Sequence, residues 1–166
     1  TALGYGEAAA EARLYAVLLT PLEGSVDLEA LRQETRVSNE QMGESTLHRP
    51  LYFLAEARLD RIAKKDAEAR AQLERALNEA RDTKQPEWIW RALEARAELE
   101  AADGQLHLAQ RDREAALLVL EEIAARLPQD LREVYWNDER RKRLRAALPK
   151  ARHVRDRDAA MAQTVR

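Results

Sequence analysis

Hydrophobic residues recur every three or four positions along most of the chain, which is the spacing of helices that bury one face. The pattern is clearest in four stretches, at about 46–63, 66–83, 87–102 and 106–127. Short polar breaks separate them, and helices joined by short turns must lie antiparallel. We therefore predict two helix hairpins over 46–127, with a buried core that includes Leu54, Leu59, Ile62, Leu73, Leu77, Leu93, Leu120 and Ile123.

Weaker patterns lie on both sides of these hairpins. Residues 1–45 predict two helices that form a divergent or partial repeat, the second capped by Ser25 or Asp27 and ended at Gly43. Residues 128–149 predict two short capping helices, and 150–166 are a charged linker or the start of a further helix. A cap at Thr46 is expected for the first hairpin.

Composition narrows the fold class to all-α. The chain has 31 Ala and 24 Leu against 16 Val, Ile and Thr, whereas sheets favour β-branched residues. It has no cysteine, which excludes disulfides and thiolate metal sites. No apolar run approaches the roughly 20 residues of a membrane span, so we expect no membrane association. The lack of cysteine fits a reducing cytoplasm, where we expect the chain to be located. We also expect the chain to be a segment of a larger protein.

An internal repeat is suggested when the helix near Thr46 is shifted by 38 residues onto the helix near Glu87. The shift superposes Leu51 on Ile89 and Leu59 on Ala97. A period of this length is typical of arrays of helix hairpins.

The hairpins resemble tetratricopeptide (TPR) repeats in a longer-looped bacterial form. Ala69, Leu73 and Ala76 match the motif's small residues seven positions apart with a large apolar residue between them. Ala109 and Ala116 keep the spacing, but Arg113 stands where the apolar residue belongs. The resemblance implies antiparallel hairpins stacked as a right-handed α-solenoid.

The end of the second hairpin is similar to the place where TPR arrays finish in large bacterial signalling proteins. It reads Val119 to Pro128, then Asp130 to Trp136 and an arginine-rich helix. Such proteins join a kinase or ATPase module to the repeats and often to a GAF sensor and a transcription-activating domain. The resemblance implies a docking or signal-relay segment in a transcriptional regulator, and it brings no catalytic residue.

Residues that carry chemistry are sparse. His48, His107 and His153 are isolated from any second ligand, so no metal site is predicted. Phosphate-binding glycine loops and nucleophile motifs are missing, and adjacent carboxylates on a helix diverge. We therefore predict no enzyme activity, no catalytic residue and no cofactor.

A partner-binding groove is predicted instead, because stacked hairpins present the first helix of each pair on one concave surface. In the 38-residue register this surface is acidic with two aromatic residues, and suits a protein or peptide segment that is basic. Its residues would be Arg49, Tyr52, Glu56, Asp60, Glu87, Trp90, Glu94 and Glu98. Trp88 and Trp90 point in different directions on a helix, so we expect one in the core and one over a turn or on the surface.

The charge distribution is uneven, since residues 131–166 hold 11 Lys and Arg against 5 Asp and Glu. The run from Arg140 to Arg145 is typical of a solvated final helix. Contact with another domain and contact with nucleic acid are alternatives, and this basic segment is also the nearest ligand for an acidic groove. A spacer or dimerisation role stays open, as does the oligomeric state.

Overall fold

A computed structural model describes residues 2–43 and 46–147, and these residues form eight helices and no strand. The all-α class is therefore confirmed. The predicted linker at 150–166, with His153, lies outside the described residues. The helices are α1 (Ala2–Leu19), α2 (Leu28–Met42), α3 (Arg49–Ile62), α4 (Asp66–Asp82), α5 (Pro86–Ala102), α6 (Leu106–Ala125), α7 (Gln129–Trp136) and α8 (Glu139–Ala147).

Three turns between α3 and α6 share one backbone conformation. Lys64, Lys84 and Gly104 each adopt a positive φ, the left-handed conformation that ends many helices. The next amide in each turn donates to a carbonyl five residues back, from Lys65, Gln85 and Gln105 to Asp60, Ala80 and Glu100, at 2.8 Å in every case. Equivalent positions therefore lie 20 residues apart from one helix to the next and 40 residues apart from one hairpin to the next. The 38-residue register was wrong by two residues.

Consecutive helices pack side by side from α1 to α6. The turns between α3, α4, α5 and α6 are three residues each, so these neighbours run antiparallel. Alternate helices also meet, α1 with α3 and α3 with α5, so the first helices of the successive pairs share one side of the molecule. α8 folds back onto α6, where Leu144 is buried.

The apolar core follows the predicted stripes with two corrections. Leu54, Leu59, Leu73, Leu77, Leu93 and Leu120 are buried as expected. Ile62 and Ile123 are only partly buried and pack against the edge of the core. Both lie in the last turns of their helices, where the packed neighbours end.

Both tryptophans of α5 are buried, which corrects the expectation that one would cover a turn or lie at the surface. Trp88 packs on Tyr15 of α1 with ring centroids 5.8 Å apart. Trp90 lies beneath Arg141 of α8. Trp88 is therefore covered by α1 and Trp90 by α8.

Helix starts show which caps the chain uses. The Asp27 carboxylate accepts from the amide of Ala30 at the start of α2, and Gly43 ends that helix, as predicted. Thr46 is not the cap of α3, because that helix begins one residue before Pro50 with His48 at the cap position. Among the described residues, no helix combines the length and apolar character needed to cross a membrane.

Candidate functional site

A cleft of about 370 Å³ lies among α1, α3, α4, α5, α6 and α8. Its floor is apolar and includes Leu54, Leu73 and Leu144, all buried. Glu94 and Glu98 of α5 are its acidic residues. Its walls carry six arginines, and we call it the arginine cleft: Arg58, Arg61, Arg91, Arg113, Arg140 and Arg143.

Two arginines of α3 are held in place on one wall. The Arg58 guanidinium donates to the carbonyl of Thr20 at the end of α1, with Nε 2.8 Å from the oxygen. That partner is neutral, so the charge of Arg58 is not compensated there. Burial lowers the pKa of Arg58, and the nearby charge of Arg61 lowers it further. Arg61 forms an ion pair with Glu98 at 3.1 Å.

Arg91 reaches the cleft from a cluster of aromatic rings. Its guanidinium lies 5.2 Å from the ring centre of Trp88 and 5.5 Å from that of Trp90. It also donates to the carboxylate of Glu87, one helical turn earlier, at 2.8 Å. Stacking and pairing together hold this cation in a defined position.

Glu94 is the most perturbed carboxyl group of the cleft. Burial, and then the negative charge of Glu98, raises the pKa of Glu94 to about 7. The charges of Arg140, Arg143 and Arg91 act in the opposite direction and do not offset the burial. Glu94 is therefore partly protonated near neutral pH, which leaves the cleft more positive.

The remaining three arginines come from α6 and α8. The guanidinium groups of Arg113, Arg140 and Arg143 form no hydrogen bond or ion pair within residues 2–43 and 46–147. Arg113 and Arg140 are half-buried and Arg143 is exposed. The cleft thus holds more cations than its carboxylates neutralise.

The α3 half of the predicted groove lies on a different face. Asp60 is buried and accepts from Arg32 of α2 at 2.7 Å, and Glu56 lies 3.5 Å from the same guanidinium. Arg49 pairs with Glu79 of α4 at 3.4 Å. We call this set the paired face: Arg32, Arg49, Glu56, Asp60 and Glu79. Tyr52 is half-buried beside it against the ring of Phe53, and burial raises the pKa of Tyr52.

The α5 half of the predicted groove is divided. Glu94 and Glu98 line the arginine cleft. The Glu87 carboxylate instead accepts hydrogen bonds from Arg91 and from the indole Nε1 of Trp90, the latter at 2.8 Å. Trp90 is only 1% exposed, so the prediction that it anchors a partner on an open surface was wrong.

The register explains this division. A two-residue shift turns a helix by about 200°, so the predicted α3 face points away from the α5 face. In the 40-residue register Leu54 and Arg58 correspond to Glu94 and Glu98, and all four line the cleft. The acidic surface expected for a basic partner is replaced by a cationic one.

Sequence reasoning missed Arg58, Arg61, Arg91 and Arg113 as site residues. They lie one or two at a time on three helices, so no local run of charge marks them. The signal that could have located them is the spacing of Lys64, Lys84 and Gly104, which gives the correct register.

The basic run at the chain's end is not a solvated helix throughout. Arg141 lies over the ring of Tyr135 at 3.9 Å and approaches Glu87 of α5 at 3.7 Å. Arg145 lies 5.1 Å from the ring of Trp136. Arg140 and Arg143 face the cleft.

Comparisons with protein-family models, curated proteins and solved structures give no match to this chain. Within the described residues, no group of three or more His, Asp or Glu side chains is placed to hold a metal ion.

Proposed function

We propose that this chain is a non-catalytic, TPR-like binding and relay module of a larger bacterial regulatory protein. Its ligand is a segment of another protein or of the parent chain, and it enters the arginine cleft. The observation that supports this proposal is the convergence of arginines from α3, α5, α6 and α8 on one cleft that has two carboxylates. Such an excess of charge in a concave, apolar-floored site favours an anionic partner.

The repeated turns support the relationship to helical-repeat proteins. Adjacent hairpins are equivalent at 40 residues, while a TPR repeat has about 34. The additional residues lie in the helices, since α4 and α5 have 17 residues each and α6 has 20 while their turns are short. The module is therefore proposed as a long-helix relative of the TPR pattern rather than a longer-looped one.

A relay role is proposed from the position of α8. This helix contributes Arg140 and Arg143 to the cleft, packs against α6 and buries Leu144. A ligand that contacts these arginines would bind α8 together with α3 and α5. Ligand binding then changes how firmly α8 is held to the repeat.

Site-specific crosslinking in the source cells tests the partner directly. A photoreactive benzoylphenylalanine replaces Glu98, whose side chain is 55% exposed at the cleft. The matched control carries it at Glu122, an exposed position on α6 outside the cleft. We expect an acidic protein segment, identified by mass spectrometry, to crosslink at position 98 and not at 122, and to be lost in Arg113→Gln/Arg143→Gln. Equal crosslinking at both positions, or none at 98, refutes the proposal.

A further inference from the structure

The arginines of the cleft differ in whether their guanidinium N–H donors already have a partner. Arg58 is engaged by a backbone carbonyl, Arg61 by Glu98 and Arg91 by Glu87. Arg113, Arg140 and Arg143 have no such partner within the described part of the chain. Three guanidinium groups with unused N–H donors therefore lie around one space.

The number of free donors suggests a ligand group with several acceptor oxygens. A carboxylate has two oxygens in a plane and one charge, so it can satisfy one guanidinium well. A phosphoryl group has three oxygens and a charge near −2 at neutral pH, and it accepts from guanidinium groups that approach from several directions. Cations on α6 and α8 approach from separate helices, which fits the second geometry.

The floor of the cleft strengthens such an interaction. Leu54, Leu73 and Leu144 are at most 4% exposed and exclude water from one side of the site. Charge-assisted hydrogen bonds gain strength in such an environment, because the effective dielectric constant is lower than in water. A volume of about 370 Å³ accommodates a phosphoryl group and the few atoms that carry it.

We infer that the arginine cleft binds a phosphoryl group, with Arg113, Arg140 and Arg143 as its donors. This inference rests on the proposed function and names the chemical group that the cleft recognises. The group can belong to a phosphorylated side chain of the bound segment or to a small phosphorylated molecule.

Calorimetry with three probes tests the inference at constant ionic strength. The probes are inorganic phosphate, a short peptide with one phosphoserine, and the same peptide with glutamate at that position. We expect phosphate and the phosphoserine peptide to bind, and the glutamate peptide to bind at least about tenfold more weakly. Binding by phosphate but not by the phosphoserine peptide also supports the inference and identifies a small molecule as the source.

Matched variants locate the binding. Arg113→Gln and Arg143→Gln should each weaken binding of the phosphoserine peptide about tenfold. The controls are Arg111→Gln on α6, whose side chain is 70% exposed, and Lys142→Gln on α8, neither of which lines the cleft. These controls should change binding by less than about twofold.

Three outcomes would overturn the inference. The phosphoserine and glutamate peptides could bind equally well, which leaves the proposed acidic-segment function intact. The second outcome is that none of the three probes binds. The third is that binding survives in Arg113→Gln/Arg143→Gln. The comparison of crosslinking at positions 98 and 122 uses none of these probes or variants, so it reports on the proposed function separately.

Discussion

The two sides of α3 use arginine in different ways. On the paired face, Arg32 meets Asp60 at 2.7 Å and Arg49 meets Glu79 at 3.4 Å. In the arginine cleft, Arg58 meets only a neutral carbonyl, and Arg113 of α6 meets no carboxylate within the described helices. Paired charges hold neighbouring helices together, while unpaired ones repel each other and favour an external anion. The comparison separates charges that stabilise the fold from charges that can bind a ligand.

The same use of paired charges recurs along the stack. Arg70 of α4 contacts Glu100 at 2.9 Å and Asp103 at 2.6 Å. Arg96 of α5 contacts the buried Asp112 at 2.6 Å and also pairs with Glu74. These hydrogen bonds raise the pKa of both arginines. Within the cleft, Arg61 and Arg91 are paired in the same way, whereas Arg113, Arg140 and Arg143 have no such partner among the described residues. The proposed function rests on these three.

Disrupting the apolar floor of the cleft should have the largest effect on stability, because the floor belongs to the core that supports both the paired face and the arginine cleft. Leu73 is 2% exposed, and Leu73→Asp would leave a carboxylate inside the core. We expect the free energy of unfolding to fall by about 4 kcal/mol in urea denaturation. Leu118→Asp is the control, since Leu118 is 48% exposed on α6 and its replacement should cost less than about 0.5 kcal/mol. Similar losses in the two variants would contradict the burial of α4.

Breaking one pair on the paired face tests the comparison directly. Asp60→Ala leaves the half-buried guanidinium of Arg32 without its closest partner, and we expect a loss of about 3 kcal/mol in the free energy of unfolding. Arg113→Gln in the cleft should change it by less than about 0.5 kcal/mol.

A double variant separates pairing from packing. Arg32→Met/Asp60→Leu replaces both charges by apolar groups and should recover most of the loss, since an apolar pair needs no compensation. Equal destabilisation by Asp60→Ala and Arg113→Gln would remove the distinction between the two faces.

The pH dependence of stability should reveal the buried carboxyl group of the cleft. The folded pKa of Glu94 is raised to about 7 from 4.5, so the folded state binds more protons than the unfolded state between these values. The stability associated with Glu94 is fully present below pH 4.5 and is lost as the pH rises through 7. Between pH 5 and 8 we expect a decrease of about 2 kcal/mol in the wild type that Glu94→Gln lacks.

The groups around Glu94 define what this experiment measures. Glu98 on α5 raises its pKa, and Arg91, Arg140 and Arg143 lower it. The wild type and Glu94→Gln should be nearly equal in stability at pH 5. At pH 8, Glu94→Gln should be the more stable of the two. Parallel stability profiles across this range would mean that Glu94 is not buried among these charges.

The smallest effect concerns the turns that set the register. Lys64 and Lys84 have φ values of 59° and 54°, where a side chain is strained and glycine is not. Lys64→Gly and Lys84→Gly should each raise the free energy of unfolding by about 0.5–1 kcal/mol in thermal denaturation. Lys65→Gly should not, because Lys65 has a φ of −104°. A loss of stability in the first two variants would contradict the shared turn geometry.

Much of the fold was contained in the local pattern of the chain. The spacing of residues such as Leu73 and Leu77 identified the buried stripe of α4, because helical periodicity depends on near neighbours alone. Asp27 and Gly43 marked the ends of α2 for the same reason. Local patterns of this kind require no knowledge of what packs on the helix.

The candidate site depended on longer-range information. Alanine-rich helices superpose at several shifts, so the repeat period could not be fixed from apolar positions alone. The turns decide it, and two of the three have lysine where glycine is the usual sign of a positive φ. The folded-back position of α8, which covers Trp90 and brings Arg140 and Arg143 to the cleft, follows from tertiary packing.

The sequence by itself determined the helical class, the approximate bounds of the helices and most of the core, since each rests on contacts within a few turns of one helix. Only the tertiary structure decided which charges meet. An ion pair such as Arg32 with Asp60 joins side chains 28 residues apart. A two-residue change in the alignment of α3 with α5 corresponds to a rotation of about 200°. It decides whether the α3 residues aligned with Glu94 and Glu98 belong to the paired face or to the arginine cleft. The charge of the site is therefore a property of the packed helices, because the relative rotation of α3 and α5 selects which residues face each other.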